Sequence, residues 1–250
     1  IMARDASDLS IATEVMITPD PRDPLCPPIP WRGPEVREPI SVAVTKDPCG
    51  YPIHDGILEL IDRAAEALTD AGYRVVEVKT PSIQEPFRDW FRTLTTEMNT
   101  ALKPQVDEYG STDIQTTFEY FFQMGELLDL DGYIQGSGDR TRMMREWNLF
   151  LVEHPLVITP FYMNRLYDWD YDLQSFDACK DFLEASAYSM GINYLGLPAG
   201  VIAMDLVEDR PAAVQIVGQR YREDTICDAL EVIQGRCGRL TDQLWAREDR

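Results

Sequence analysis

The sequence predicts an α/β fold in which a mixed, mostly parallel sheet is flanked by helices. Three features carry this prediction. Residues 40–78 alternate strand, helix and strand with short joints, the pattern of a right-handed crossover between parallel strands. Residues 156–159 (LVIT) form a short apolar run that stops at Pro160. Residues 201–204 and 213–217 are strand-like runs joined by an acidic turn, and a hairpin is their simplest interpretation.

The chain opens with a predicted helix at residues 5–16, where apolar side chains recur at helical spacing after a potential Asp5 cap. A connector with eight prolines follows at residues 19–39. Because proline fixes the backbone and removes a donor, the connector should be extended and lie over a surface. Its apolar residues, Leu25 and Trp31 among them, favour a packed crossover over a free domain linker.

The crossover unit is the clearest local prediction. Residues 56–71 place apolar side chains on one helical face, and Gly72 follows as a left-handed cap would. The flanking runs at residues 40–45 and 73–78 are rich in valine and isoleucine, which is typical of strands.

Residues 87–151 are predicted to be a mainly helical insertion rich in Phe, Leu and Met, with interruptions near Pro104, Gly110 and Gly136. No internal repeat is visible. Two later helices are predicted, at residues 175–190 and 224–234.

Charge and cysteine content limit the partners and the compartment. The 250 residues include 43 acidic and 23 basic ones, for a formal net charge of −20. The negative electrostatic field of such a chain repels phosphates and anionic membranes, so neither nucleic acid nor a membrane is expected as a partner. No apolar run approaches about 18 residues, so no transmembrane helix is expected. Five widely spaced cysteines without a CxxC pair predict reduced thiols in a cytoplasm. The sequence begins with Ile1 and not with Met, so it looks as if it starts partway along a longer protein.

Local motifs do not assemble a catalytic site. The nearest approach to a GxSxG serine elbow is at residues 136–138, where Gln135 and Asp139 occupy the outer glycine positions. Cys49 and His54 are the least unfavourable pairing of a thiol with a base, and an incidental role is favoured for both. We therefore assign no catalytic residue from local motifs.

Metal and cofactor sites are not expected either. Asp168, Asp170 and Asp172 have the first spacings of a calcium loop, but Leu173 and Cys179 stand where glycine and glutamate are required. Two histidines without a CxxC pair disfavour a zinc cage, and neither a dinucleotide loop nor a P-loop is present.

Four short motifs occur in a specific order and spacing. Residues 191–200 (GINYLGLPAG) lead into residues 211–218 (PAAVQIVG) and then residues 220–224 (RYRED). These segments are similar to the C-terminal signature of the amidase family, NxxGxPA followed by GxPxGxQxxG and (R/P)(F/Y)xE(D/E). The opening residues 2–9 (MARDASDL) resemble the helix that follows the catalytic core in that family. The resemblance extends from residue 2 to about residue 233.

The resemblance implies that residues 1–250 are the C-terminal portion of a single amidase domain, within the family's α/β/α sandwich. In this family a lysine base activates a serine nucleophile through a second serine. All three residues precede the segment that residues 2–9 resemble, so none is assigned here. The implied partners are the N-terminal half of the same enzyme and a small amide substrate.

The resemblance also implies substrate-binding residues in two places. The loop after the strand ending in TP corresponds to Phe161, Tyr162 and Met163, and the NxxGxPA turn contains Asn193 and Gly196.

Structural roles compete at several of these positions. Asn193 could bond its own turn, and Gly196 could serve the backbone alone. Gln215 fits a buried hydrogen-bond partner. For the aromatic cluster at residues 161–171, core packing and the lining of an apolar acyl or aryl pocket both remain open. Phe161 replaces the family's usual threonine, which leaves the pocket's shape open.

The leading hypothesis is an amidase acting on an acyl or aryl amide, inactive without its N-terminal half. A transamidase subunit serving glutamyl-tRNA is a weaker variant, because no amidotransferase-specific feature appears. The rival from another class is a non-catalytic binding or assembly module on the same half-fold. Unpaired strand edges and bare apolar faces predict self-association, with a homodimer left open.

Overall fold

A computed structural model describes residues 1–47 and 49–248, with residues 247 and 248 described by their backbone alone. Within these residues five strands form one open sheet. The strands are β1 (Ser41–Val44), β2 (Arg74–Glu77), β3 (Leu156–Pro160), β4 (Ala199–Val207) and β5 (Arg210–Gly218). Their order across the sheet is β2-β1-β3-β5-β4.

The sheet is mixed, as predicted. Strand β1 runs parallel to both β2 and β3, whereas β5 is antiparallel to β3 and to β4. The β4–β5 pair is the predicted hairpin. Its turn residues Glu208 and Asp209 both have positive φ, at 48° and 63°, the conformation of a two-residue turn that matches strand twist.

Helices cover both faces of the sheet. They are α1 (Ala6–Met16), α2 (Asp55–Asp70), α3 (Gln84–Ala101), α4 (Lys103–Tyr109), α5 (Thr112–Met124), α6 (Leu130–Glu153), α7 (Phe176–Glu184), α8 (Ala187–Leu195), α9 (Glu223–Cys237) and α10 (Leu240–Glu248). A short 3-10 turn spans Tyr171–Leu173. No helix among the described residues is long and apolar enough to cross a bilayer.

Alternation along β1 separates the two cores. Val42 and Val44 point to the face covered by α2 and α9, while Ala43 between them joins the core formed with α6 and α8. All five residues of β3 are buried, because this central strand is covered on both faces. The chain therefore has the predicted helix–sheet–helix layering.

Local capping explains where several helices begin and end. The Asp5 carboxylate accepts a hydrogen bond from the Ser7 backbone N–H at 3.1 Å, so the predicted cap of α1 is present. Gly72 follows α2 with a φ of 95°, in the left-handed region expected for it.

Two helix predictions need correction. Gly136 does not interrupt a helix, because α6 runs through it, and the break falls before Asp129, which caps α6 through the Gly132 N–H. The single helix predicted at residues 175–190 is two helices, α7 and α8. Ser186 lies at their junction, where its hydroxyl donates to the Leu183 carbonyl at 2.9 Å.

The proline-rich connector contains neither helix nor strand. Leu25 does not anchor it, since 87% of this residue is exposed. Trp31, the other expected anchor, is half-buried, and polar contacts add to the attachment. Arg32 pairs with Asp228 at 2.6 Å, and the Gly33 N–H donates to Asp224 at 3.1 Å, both on α9.

Candidate substrate-binding site

The loop after β3 lies at the carboxyl edge of the parallel strands, where the loop after β1 also emerges. Backbone hydrogen bonds hold Met163 between two other segments. Its carbonyl accepts from the His54 N–H at 2.8 Å, and its N–H donates to the Ala185 carbonyl at 2.7 Å. The Met163 side chain is fully buried in the core. Met163 therefore anchors the loop to the core. Of the three residues Phe161, Tyr162 and Met163, Phe161 is the most exposed, at 38%, and can contact a ligand.

Aromatic side chains fix the rest of this loop. The Tyr162 hydroxyl donates to the Phe182 carbonyl at 2.9 Å. The Tyr167 and Tyr171 rings stack with centroids 4.1 Å apart and an angle of 1° between their planes. Both hydroxyls donate to the carboxylate of Asp181 on α7, Tyr171 at 3.1 Å. We call Tyr167, Tyr171 and Asp181 the tyrosine clamp.

Burial suppresses ionisation in this loop. It is the main cause that raises the pKa of Tyr162 far above its usual range, with a further contribution from Tyr167. The pKa of Tyr167 is also raised, first by burial and then by its hydrogen bond to Asp181. The hydroxyls of Tyr162 and Tyr167 are therefore neutral hydrogen-bond donors fixed in place, and they are poorly suited to act as acids or bases.

A cleft of about 710 Å³ opens beside this loop, between α3, α5 and α7. Its apolar lining consists of Tyr51, Phe87, Phe91, Met124, Phe176 and Leu183. Tyr51 and Phe87 meet edge to face, with centroids 5.8 Å apart. Such a cleft is of the size and composition that small-molecule sites in proteins have.

Charged residues border the cleft and are largely paired. Arg92 pairs with Glu126 at 2.9 Å, and Lys180 lies 3.7 Å from Glu184. Burial is the main cause that raises the pKa of Glu184, partly opposed by Lys180. Glu184 directly precedes Ala185, whose carbonyl binds Met163. The cleft and the loop after β3 are therefore neighbours joined through the end of α7, although no residue of the loop lines the cleft.

Asn193 and Gly196 lie elsewhere. Helix α8 begins near Met163 and runs back to the start of β4. The first residue of β4, Ala199, is level with Val157 in the first half of β3, because both are paired with Val217 of β5. Nine residues of helix span about 14 Å, so the structure does not bring these two residues to Phe161. Exposed Asn193 borders a smaller cleft of about 320 Å³.

The end of α8 also shows what Gly196 does. Its φ is 63°, and it caps the helix in the left-handed region. The guanidinium groups of Arg140 and Arg220 donate to the carbonyls of Tyr194 and Leu195 at 2.5 and 2.6 Å. The cations compensate the negative end of the helix.

The other residues singled out from the sequence have structural partners. His54 accepts from the Gly56 N–H at 3.1 Å and caps α2. Burial raises the pKa of Cys49, which disfavours the thiolate that catalysis would need. Asp168 pairs with Arg210. Gln215 is buried and donates to the Thr159 hydroxyl at 3.1 Å, the role expected for it.

Sequence reasoning missed the cleft residues on α3, α5 and α7. The one signal available was the spacing of Phe87 and Phe91, four residues apart and therefore on one helical face. The same spacing is typical of core residues, and both side chains are in fact more than nine-tenths buried. Only the three-dimensional arrangement shows that they also face a cleft.

Comparison with known proteins agrees with the motifs. Residues 1–227 match the amidase family. An indoleacetamide hydrolase of Bradyrhizobium diazoefficiens is 32% identical over 249 residues, covering 99% of this chain and 48% of that protein. A second indoleacetamide hydrolase, of Bradyrhizobium japonicum, is 32% identical over 245 residues, which are 98% of this chain and 53% of that protein. The chain thus spans about half the length of these relatives.

Solved structures show the same fold at lower identity. A 6-aminohexanoate cyclic dimer hydrolase aligns with a TM-score of 0.75 at 16% identity, covering 94% of this chain and 54% of that one. A fatty acid amide hydrolase aligns with a TM-score of 0.74 at 17% identity, covering 95% and 47%. From its motifs, its fold and the extent of the family match, the chain belongs to the amidase family.

Proposed function

We propose that this chain is the acyl-binding half of an amidase that hydrolyses the C–N bond of an arylacetamide by serine acyl transfer. The observation that carries the proposal is the aromatic cleft beside the loop after β3. Its rings provide an apolar surface for a planar acyl group, and it opens at the strand edge where ligands bind in open α/β sheets. The names of the two relatives at 32% identity support an arylacetamide as the substrate.

The catalytic serine, second serine and lysine are proposed to come from polypeptide that precedes residue 1, the N-terminal half of the enzyme. This step rests on the likeness of residues 2–9 to the helix after the family's catalytic core. The serine oxygen would attack the amide carbonyl, and its proton would pass through the second serine and the lysine to the departing amine. Water would then hydrolyse the acyl-serine ester and release the acid.

A transamidase has weaker support. A glutamyl-tRNA(Gln) amidotransferase of Streptococcus mutans, matched through one of its subunits, is 25% identical over 213 residues, 76% of this chain and 43% of that protein. Both the identity and the coverage are lower than for the indoleacetamide hydrolases. The hydrolase is therefore the function proposed.

Co-expression tests the proposal. The chain would be produced with the polypeptide encoded directly upstream and assayed for ammonia release from indole-3-acetamide, phenylacetamide and butyramide. The expected result is turnover of both aryl amides, with butyramide much slower because it cannot fill an aromatic cleft. An upstream region that encodes no such polypeptide, or a complex that releases no ammonia, would favour the non-catalytic module instead.

A further inference from the structure

One corner of the aromatic cleft is polar. Glu184 and Lys180 lie there on successive turns of α7, with their charged atoms 3.7 Å apart. Tyr51 faces them from the loop after β1, and the Glu184 carboxylate is, after burial, the next largest cause that raises the pKa of Tyr51. The cleft therefore combines aromatic walls with one carboxylate at a fixed place.

The Glu184 carboxylate can accept a further hydrogen bond. Its side chain is 31% exposed, so much of its hydration is lost. A carboxylate has about four acceptor positions, and Lys180 lies beyond normal hydrogen-bond distance. Burial outweighs Lys180 in its effect on the pKa of Glu184, which is raised. A ligand with an N–H in this corner would supply such a donor.

Glu126, the other carboxylate that lines the cleft, is closely paired. Arg92 lies 2.9 Å from Glu126, and Arg88 lies 2.8 Å from Asp89. These short pairs leave little reason for a ligand to replace them. Glu184 is thus the carboxylate of the cleft whose bonding a ligand donor can improve most. The buried Nε of Arg92, which has no hydrogen-bond partner among the described residues, would need an acceptor and not an N–H.

We propose that Glu184 selects amides whose acyl group is a planar aromatic ring carrying a ring N–H, which donates to the Glu184 carboxylate. The ring lies against Phe87 and Phe91, and the N–H points to the α7 corner. This inference rests on the proposed function and extends it by naming the residue that discriminates between aryl groups. A site built to accept a hydrogen bond rejects an isosteric ligand that lacks the donor, because its acceptor is then left unpaired.

Calorimetric titration of the 250-residue chain tests this inference, since every residue invoked belongs to the chain. Indole-3-acetamide and 1-benzothiophene-3-acetamide have nearly the same shape, but only the first has a ring N–H. The chain should bind the indole ligand at least about tenfold more tightly, roughly one good hydrogen bond to a charged group. Glu184→Leu should remove this preference, and Glu184→Gln, which keeps an acceptor oxygen, should retain part of it.

Two controls separate recognition from general damage. Phe91→Ala should lower the affinity for both ligands by a similar factor and leave the ratio of the two affinities unchanged. It removes part of the apolar wall of the cleft but keeps the Glu184 acceptor. Glu119→Leu, at an exposed position of α5, should change neither affinity. Far-ultraviolet circular dichroism would show that each variant is folded.

The outcomes are distinct. Equal affinity of the wild-type chain for the two ligands would overturn the role of Glu184 and leave the proposed function standing. A preference that persists in Glu184→Leu would assign the recognition to another group and also overturn the inference. If the folded wild-type chain bound neither ligand, the inference would fail, whereas the proposed function would still be decided by ammonia release from the co-expressed complex.

Discussion

At the scale of single residues, Asp181 has the widest influence on the candidate site. Its carboxylate accepts hydrogen bonds from Tyr167 and Tyr171, and these rings stack against each other in the loop that begins at Phe161. Tyr162 is tied separately to the Phe182 carbonyl. One carboxylate on α7, the helix into which this loop leads, thus positions the loop.

Asp181→Ala should lower the free energy of unfolding by about 2 kcal/mol, because two half-buried hydroxyls lose an acceptor bearing a charge. Urea unfolding would measure the change. Asp181→Asn retains one acceptor oxygen and should cost less. The control Glu119→Gln, at an exposed site, should stay within about 0.5 kcal/mol of wild type. A wild-type midpoint for Asp181→Ala would show that the clamp does not stabilise the loop.

The raised pKa values of Tyr162 and Tyr167 predict a loss of stability in alkali. In the unfolded chain a tyrosine ionises near its ordinary value of 10.0, whereas these two stay protonated in the fold. Above about pH 10 the unfolded state therefore binds fewer protons than the folded state, and stability falls as the pH rises. Below pH 10 the contribution is fully present.

Ultraviolet absorbance at 295 nm checks this directly. The native chain should show tyrosines that ionise only when it unfolds, and Tyr162→Phe and Tyr167→Phe should each remove one of them. If all tyrosines of the native chain titrated together near pH 10, the described burial of these hydroxyls would be contradicted.

At the scale of elements, the local patterns were sufficient for the crossover and the hairpin. Both depend on neighbouring residues, so spacing of apolar side chains and a turn signal define them. The break between α7 and α8 could not be read in this way, because it depends on the bond from Met163 to the Ala185 carbonyl, 22 residues away along the chain. The cleft depends similarly on the packing of α3, α5 and α7, which no local pattern records.

Two glycines differ in what their positions require of the backbone. A Cβ at Gly136 would meet no atom within 4 Å, so the helix simply tolerates this glycine. At Gly196 the backbone φ is 63°, which residues with a Cβ rarely adopt.

Two alanine substitutions should therefore have opposite effects. Gly136→Ala should stabilise the chain by about 0.5–1 kcal/mol, since alanine is the better helix former. Gly196→Ala should destabilise it by about 1 kcal/mol through left-handed strain. Thermal and urea unfolding of the pair would measure both. Changes of the same sign would contradict the conformations described for α6 and for the end of α8.

At the scale of the whole molecule, several large apolar side chains remain exposed on the surface. On α1, Ile11, Val15 and Met16 are exposed. The net charge of the chain is −20, which opposes close approach of two copies at low salt. Apolar contact and charge repulsion therefore compete.

We expect the isolated chain to self-associate, more strongly as salt screens the repulsion. Light scattering after size exclusion, at about 0.01 M and 0.5 M salt, would measure this, because the Debye length falls from roughly 30 Å to a few ångströms over that range. The double substitution Ile11→Ser and Val15→Ser should reduce association. A thermally stable monomer at both salt concentrations would contradict the account of the exposed faces.

The central claim is that the nucleophile and its base lie outside these 250 residues, while the acyl pocket lies within them. Labelling with a fluorophosphonate serine probe tests it most directly. Intact-mass measurement of the purified chain should show no adduct, whereas the complex with the upstream-encoded polypeptide should show one adduct, on that polypeptide. Stoichiometric labelling of the 250-residue chain alone would contradict the claim.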